Sequence, residues 1–299
     1  MVSDLPRSRR IADLALAGNT VVWGATFVLV KSALADISPL LFLALRFSLA
    51  TFALLLFFRR SLVLKPPSVR DLRAGALVGV CLFAGYFFQT IGLQFTSAPK
   101  SAFLTATSSV MVPLLARLVY RNRPRRSEIL GLLAATAGMG LMTLEGPLGL
   151  VNRGDLLTLA CAVAFAAQIV TQGHFSEKMS FESLAVIQVG TAALFAGSLF
   201  LWVEPPRLVW RPSVVLAILA TGLLATALAF TVQAWAQHFT SSTRTALIYM
   251  LEPVFAWLTS YLLVGAGLSA CAAAGAALIL GGVVLVEAKP LEPRFHPPD

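Results

Sequence analysis

The sequence predicts an all-α membrane protein whose ten transmembrane helices form two inverted five-helix repeats. Three observations carry this expectation. The chain is 58% hydrophobic and only 12% charged, with a mean hydropathy of +0.81, whereas soluble domains are about half apolar and about a quarter charged. Ten apolar stretches approach or exceed the roughly 20 residues needed to cross a hydrocarbon core. The string FTSAPKSA at 95–102 returns as FTSSTRTA at 239–246, each copy between two apolar stretches and at the same place in its half of the chain.

The expected spans are 11–34, 39–58, 72–95, 101–120, 129–143, 156–175, 183–203, 214–237, 245–264 and 268–286. The connections are mostly short, so no soluble domain is left over and function must reside in the bundle. Open strands cannot satisfy their backbone in lipid, and no alternating pattern suggests a barrel. The first span follows a basic N-terminus as a signal peptide would, but it is too long for an h-region and no small-residue cleavage pattern follows it. It is read as the first helix.

The expected units are 1–145, a first repeat; 154–287, a second, inverted one; and 288–299, a cytoplasmic tail. Ungapped extension of the second string keeps Lys100 over Arg244, Val110 over Val254, Leu114 over Leu258, Gly131 over Gly275 and Gly138 over Gly282. At similar offsets 23–34 lies over 164–175, Arg46 over Gln188 and Gln89 over Gln233. Five spans is an odd number, so the second half enters the membrane from the opposite face, and exchanging the tilts of two such halves is the geometry of alternating access.

The net charge of +9 reflects topology rather than nucleic acid. Arg7, Arg9, Arg10, Arg59, Arg60, Lys65, Arg70, Arg73, Arg121, Arg123, Arg125, Arg126, Lys178, Arg244, Lys289 and Arg294 collect on one side. The other side holds Lys100, Arg153, Arg207 and Arg211, and the positive-inside rule then puts both termini in the cytoplasm of a bacterial inner-membrane protein.

Small residues mark close packing. The tenth span (Ala272, Ala273, Ala274, Gly275, Ala276, Ala277, Gly281, Gly282) and the fifth (Gly131, Ala134, Ala135, Gly138, Gly140) read as scaffold, or as the contact of a homodimer. Gly75 and Gly79 form a further small pair, read as packing rather than hinge. Cys81, Cys161 and Cys271 lie one per apolar stretch, without metal or disulfide spacing, and read as packing residues.

Polar groups within spans are expensive and point to a pathway. Glu252, followed by Pro253, sits deep in the ninth span; it would bind a substrate amine, carry a proton, or fix a helix bend. Lys31 and Arg46 lie toward the outer ends of their spans, where each can snorkel, meet a structural partner or attract an anionic substrate group; Arg117 is read as snorkelling. Gln168 and Gln172 are one turn apart, Tyr86 and Gln89 share a face, and Thr105, Ser108 and Ser109 share another. Gln233 and Tyr249 complete a candidate lining, with Trp23 and Trp235 as aromatic walls. Ser and Thr can equally satisfy their own helix backbone. His174, His238 and His296 are too scattered for a metal site, and no hydrolase, zinc or phosphate-loop motif occurs. Neither a metal nor a cofactor is expected, and no enzyme activity.

Trp23-Gly24 with Phe27 and Lys31, the AFLT run at 102–105 with Pro113, and LEPVFAWL at 251–258 resemble the drug/metabolite transporter superfamily, in its ten-helix EamA-type branch. The resemblance covers nearly the whole chain. It implies an inverted-repeat bundle whose first, third, fourth, sixth, eighth and ninth helices line a central cavity, and an exporter of amino acids and related metabolites, similar to aromatic amino acid exporters. Where family members often carry Gly-Glu between the ninth and tenth helices, this chain has Gly265, Ala266 and Gly267.

The expected function is therefore export of a small metabolite, foremost an amino acid, aromatic or otherwise neutral. The expected substrate-binding residues are Trp23, Tyr86, Gln89, Thr105, Ser108, Gln168, Gln233, Trp235, Tyr249 and Glu252. A drug or quaternary-ammonium exporter, with Glu252 as the cation partner, is the alternative within transport; a membrane enzyme or lipid-handling scaffold is the alternative outside it.

Overall fold

A computed structural model describes residues 5–96, 98–120, 126–143, 152–264 and 269–287. The Gly265, Ala266, Gly267 departure, the basic residues Arg121, Arg123, Arg125, Lys289 and Arg294, His296, and the tail at 288–299 lie outside the described residues, as does the side chain of Lys100. Each expected span is largely helical where described, with turns at Thr107 in the fourth and at Met250 and Leu251 in the ninth. The helices are α1 (Leu5–Ala33), α2 (Pro39–Leu64), α3 (Val69–Phe95), α4 (Ala98–Ala106), α5 (Ser108–Tyr120), α6 (Arg126–Thr143), α7 (Arg153–Ser176), α8 (Phe181–Val203), α9 (Pro212–Leu219), α10 (Ala229–Ala236), α11 (Ser242–Tyr249), α12 (Glu252–Val264) and α13 (Ala270–Glu287). Among the described residues seven helical stretches are long and apolar enough to cross a membrane.

The helix starts follow from local chemistry. Ser68 with Asp71, and Asn152 with Asp155, form reciprocal capping boxes at the starts of α3 and α7, while Ser180 and Ser241 cap α8 and α11. Pro39 and Pro212 open α2 and α9, where a missing N–H costs nothing. Among the described residues the extended backbone pairs only at one isolated bridge, Ile37 with Leu208, which ties the α1–α2 loop to the α8–α9 loop. Arg211 bonds Asp36 there at 3.3 Å, and Glu204 Oε1 accepts from the Leu40 N–H at 2.6 Å. Trp202 and Trp210, 86% and 69% exposed at this same end, suit an interfacial aromatic belt.

Three departures from regular helix matter for function. The fourth span breaks at Thr107, whose N–H and hydroxyl both donate to the Leu104 carbonyl, at 3.2 and 2.6 Å. The ninth breaks between Tyr249 and Glu252. Met250 and Leu251 turn back onto Leu247 and Ile248, and Pro253 has no N–H to offer the Tyr249 carbonyl. Glu252 thus begins a second helix rather than sitting within one long one, which corrects its expected place. The offset that sets Lys100 over Arg244 also sets Ser108, the first residue of α5, over Glu252, the first of α12. The third departure is π-helical winding at Ala220–Leu228, between α9 and α10. A wider turn of this kind leaves backbone carbonyls available to other donors.

Glycines decide which helices touch. A Cβ at Gly138 on α6 would overlap the Gly275 carbonyl on α13, and one at Gly282 would stand 2.6 Å from the Gly131 carbonyl. The two small-residue stripes therefore meet each other within the chain. On α3, Gly75 packs on Ile187 and Gly79 on the Gln188 backbone of α8, so this pair is a packing seam. Gly138→Val should force α6 and α13 apart, lowering stability by about 1–3 kcal/mol, visible as a lower melting temperature in detergent.

Candidate functional site

Between α1, α3, α4, α5, α7, α10, α11 and α12 lies a cavity of about 80 Å³. It takes in Trp23, Tyr86, Gln89, Thr105, Ser108, Gln168, Gln233, Tyr249 and Glu252, nine of the residues expected from the sequence. Trp235 is not among them. It faces away, its ring 5.4 Å edge-on from Phe239. Lining residues missed in the sequence include Phe165 and Phe230, whose apolar side chains carry no signal of which face of a helix looks inward. Among the described residues α6, α8 and α13 contribute nothing to the lining.

The largest departure is Arg46. Although it lies only about 10 Å along α2 at 1.5 Å per residue, its side chain does not snorkel. It is 4% exposed and turned into the cavity, so α2 joins the lining through this one residue. Its Nε donates to Thr226 Oγ1 at 2.7 Å and Nη2 to the Tyr86 hydroxyl at 3.0 Å, with the guanidinium 4.2 Å from the Tyr86 ring centroid. Nη2 also reaches the Ala225 carbonyl at 3.4 Å, which accepts from Trp23 Nε1 at 2.9 Å. Ala225 and Thr226 belong to the π-helical segment, so the wider turn supplies acceptors to two cavity walls.

An aromatic row crosses the site. Trp23 meets Tyr249 edge-on at 4.8 Å and Phe230 at 5.7 Å; Phe230 meets Tyr86 at 6.1 Å, and Tyr86 meets Phe165 at 5.1 Å. Edge-to-face contacts of this kind hold rings in fixed orientation. Glu252 lies in the same cavity, and among the described residues no ion pair or hydrogen bond of its carboxylate is present.

Amides extend the polar wall. Gln89 Nε2 donates to Thr105 Oγ1 at 3.1 Å. Gln168 Nε2 donates to Gln172 Oε1 at 2.6 Å and Gln188 Oε1 at 3.2 Å, and Gln233 Nε2 donates to Gln168 Oε1 at 3.2 Å. Gln172 therefore stands behind Gln168, off the cavity, and Gln188 was not foreseen. Gln233 Oε1 is sealed from the cavity and has no partner among the described residues.

Polar contacts fasten the bundle at either end. Where α1 begins, Asp13 Oδ2 binds Arg244 at 2.9 Å and 3.1 Å, both side chains almost fully buried. Arg244 belongs to the second FTS string. Where α1 ends, the Lys31 ammonium bonds the carbonyls of Leu93, in the last turn of α3, and of Thr96, just after it. Thr96, of the first FTS string, donates from Oγ1 to Asp155 Oδ1 at 2.9 Å.

A polar, aromatic-walled cavity inside an all-helical apolar bundle, fastened at both ends, is the build of a membrane carrier for small molecules. The chain belongs to the EamA-like transporter family of the drug/metabolite transporter superfamily, whose sequence profile matches twice, at 10–144 and 152–288. It is 34% identical over 278 residues to an uncharacterized transporter of Archaeoglobus fulgidus, covering 93% of this chain and 86% of the relative. It is 26% identical to a Salmonella typhimurium protein named a probable amino-acid metabolite efflux pump (93% and 95% covered). A probable terminal-alkyne amino-acid exporter of Streptantibioticus cattleyicolor is 27% identical (76% and 77% covered). A protein crystal structure with 22% identity superposes at a TM-score of 0.76 over 93% of this chain and 97% of the other, which shows a shared fold. The protein is thus a multi-pass membrane protein of a transporter family.

Proposed function

We propose that the protein exports small metabolites, foremost neutral or aromatic amino acids, across a bacterial cytoplasmic membrane by alternating access between two inverted repeats, 1–145 and 154–287. The observation that carries this reading is the cavity, which combines a guanidinium, a carboxylate and several amides with an aromatic wall. That set matches a zwitterion with an apolar side chain. Trp23, Tyr86, Gln89, Thr105, Ser108, Gln168, Gln233, Tyr249 and Glu252 are the proposed contacts, and Trp235 is withdrawn. The names of two relatives as amino-acid exporters or efflux pumps support the substrate class.

The two matching halves of the chain favour a rocking carrier over an open pore. Both termini are proposed to be cytoplasmic, because Arg59 and Arg60 near the end of α2, Lys65 of the α2–α3 turn, and Arg70 and Arg73 of α3 share the end at which α1 begins. A homodimer through α6 and α13 would use their outer faces, where Leu130, Leu133, Leu280 and Val284 are exposed.

In proteoliposomes, labelled phenylalanine and other neutral amino acids should exchange several-fold faster than in protein-free vesicles. No exchange of any amino acid, beside an active control exporter, would overturn the reading. A quaternary-ammonium exporter is the second reading, favoured by Glu252 and the Trp23–Tyr249 pair, since aromatic faces attract such cations. Glu252→Gln abolishing cation transport while sparing neutral amino acids would select it.

A further inference from the structure

We propose that Arg46 is the carboxylate-recognising residue of the cavity, held in place by the π-helical turn of Ala220–Leu228, so that the transported molecule must carry an acid group. This rests on the transport reading above and assigns its substrate a specific chemical handle.

The argument starts from charge. A guanidinium out of water is unfavourable unless an anion or a full set of hydrogen bonds compensates it. The acceptors of Arg46 are the hydroxyls of Thr226 and Tyr86 and the carbonyl of Ala225, all neutral. Among the described residues Arg46 is in no ion pair, whereas Arg9 and Arg244 pair with Asp13 and Arg211 with Asp36. Nη1, with two N–H donors, makes no hydrogen bond among the described residues, and it is not one of the sealed-off buried polar atoms. The positive group therefore has a donor edge to spare, on a cavity it helps to line.

A structural role alone would not need this charge. Trp23 Nε1 already donates to the same Ala225 carbonyl, so a neutral donor suffices to fasten a neighbouring helix to the π-helical turn. What the turn adds is aim. Thr226 and Tyr86 grip one edge of the guanidinium, and Tyr86 is itself held edge-on by Phe47 at 5.4 Å and Phe165 at 5.1 Å. With Nε and Nη2 engaged, Nη1 is a fixed, charged donor for an oxygen of an anion, and a carboxylate brings the single negative charge that it balances. Phosphate and sulfate would bring more charge than the one basic residue in the lining neutralises.

The test is competition in proteoliposomes. Wild-type protein exchanging labelled phenylalanine is challenged with unlabelled phenylalanine, with phenylalaninamide, which keeps the ammonium but lacks the acid, and with 3-phenylpropionate, which keeps the acid but lacks the ammonium. The acids should compete and the amide should be at least about tenfold weaker, because it leaves the buried guanidinium unpaired. Arg46→Gln should raise the KM for phenylalanine at least about tenfold, and Arg46→Lys should restore part of it. Equal competition by the amide in wild type, or an unchanged KM in folded Arg46→Gln, overturns the proposal. Melting curves establish folding, and if the glutamine variant does not fold, the wild-type competition decides. Wild-type protein that exchanges amino acids regardless of the acid group overturns this inference alone. Wild-type protein that exchanges no amino acid overturns the transport reading and this inference together.

Discussion

Asp13→Asn should open the bundle at the end where α1 begins. The substitution keeps the size of the side chain but removes the carboxylate that Arg244 binds at 2.9 Å, with both partners buried. Removing one member of a buried ion pair costs about 3–5 kcal/mol, and the cost falls only on conformations in which α1 and α11 are together. A conformation open at this end escapes it, so the population shifts that way. Cys161, fully buried and 3.8 Å from Thr105 of the cavity wall, is a native reporter. With Cys81 and Cys271 replaced by serine, maleimide should label Cys161 faster in Asp13→Asn than in wild type, by tenfold or more for a shift of about 1.4 kcal/mol. An unchanged rate would show that this ion pair does not hold the end closed.

Gly24→Leu should abolish transport and lower stability together. Even a Cβ at Gly24 would stand 2.7 Å from the Ala256 N and 3.0 Å from the Glu252 carbonyl, backbone atoms of α12 that cannot rotate aside. α1 and α12 come from different repeats, and they meet beside the broken ninth span. A leucine there must push the helices apart, at a cost of about 1–3 kcal/mol or more, and would displace the first turn of α12 that carries Glu252. Reconstituted Gly24→Leu should show no amino-acid exchange and a lower melting temperature, with Gly24→Ala intermediate in both. Leucine at Gly18, where an added Cβ meets nothing within 4 Å, is the control that should melt as wild type does.

The helical course of the chain was legible because lipid imposes a length and a hydropathy that sequence reports directly. The meeting of α6 and α13 was foreshadowed by their glycines, since close backbone approach leaves a compositional trace. Much of the cavity followed from amides, hydroxyls and a carboxylate that would be unfavourable facing lipid. What stayed hidden depended on azimuth rather than depth. Arg46 is near enough to a helix end to snorkel, and nothing in the order of its neighbours says that it turns inward onto Thr226. Trp235 carries the same aromatic and polar character as Trp23, yet one faces Phe239 and the other the cavity. The π-helical segment reads ATGLLATAL, a string equally suited to regular helix. Pro253 announced the break in the ninth span, but the fourth breaks at Thr107, six residues before Pro113, through a local hydroxyl bond that many threonines form without breaking a helix.

The two breaks fall at matching positions, and their occupants differ: Ser108 begins α5, whereas Glu252 begins α12. A chain made of two equal halves would offer its cargo two equal berths, and a molecule crossing it would have to choose between them at each swing. With an acid in one berth and a hydroxyl in the other, that choice disappears. Under the proposed alternating access the passenger would have one way to sit whichever door stands open, and would cross the membrane without turning over.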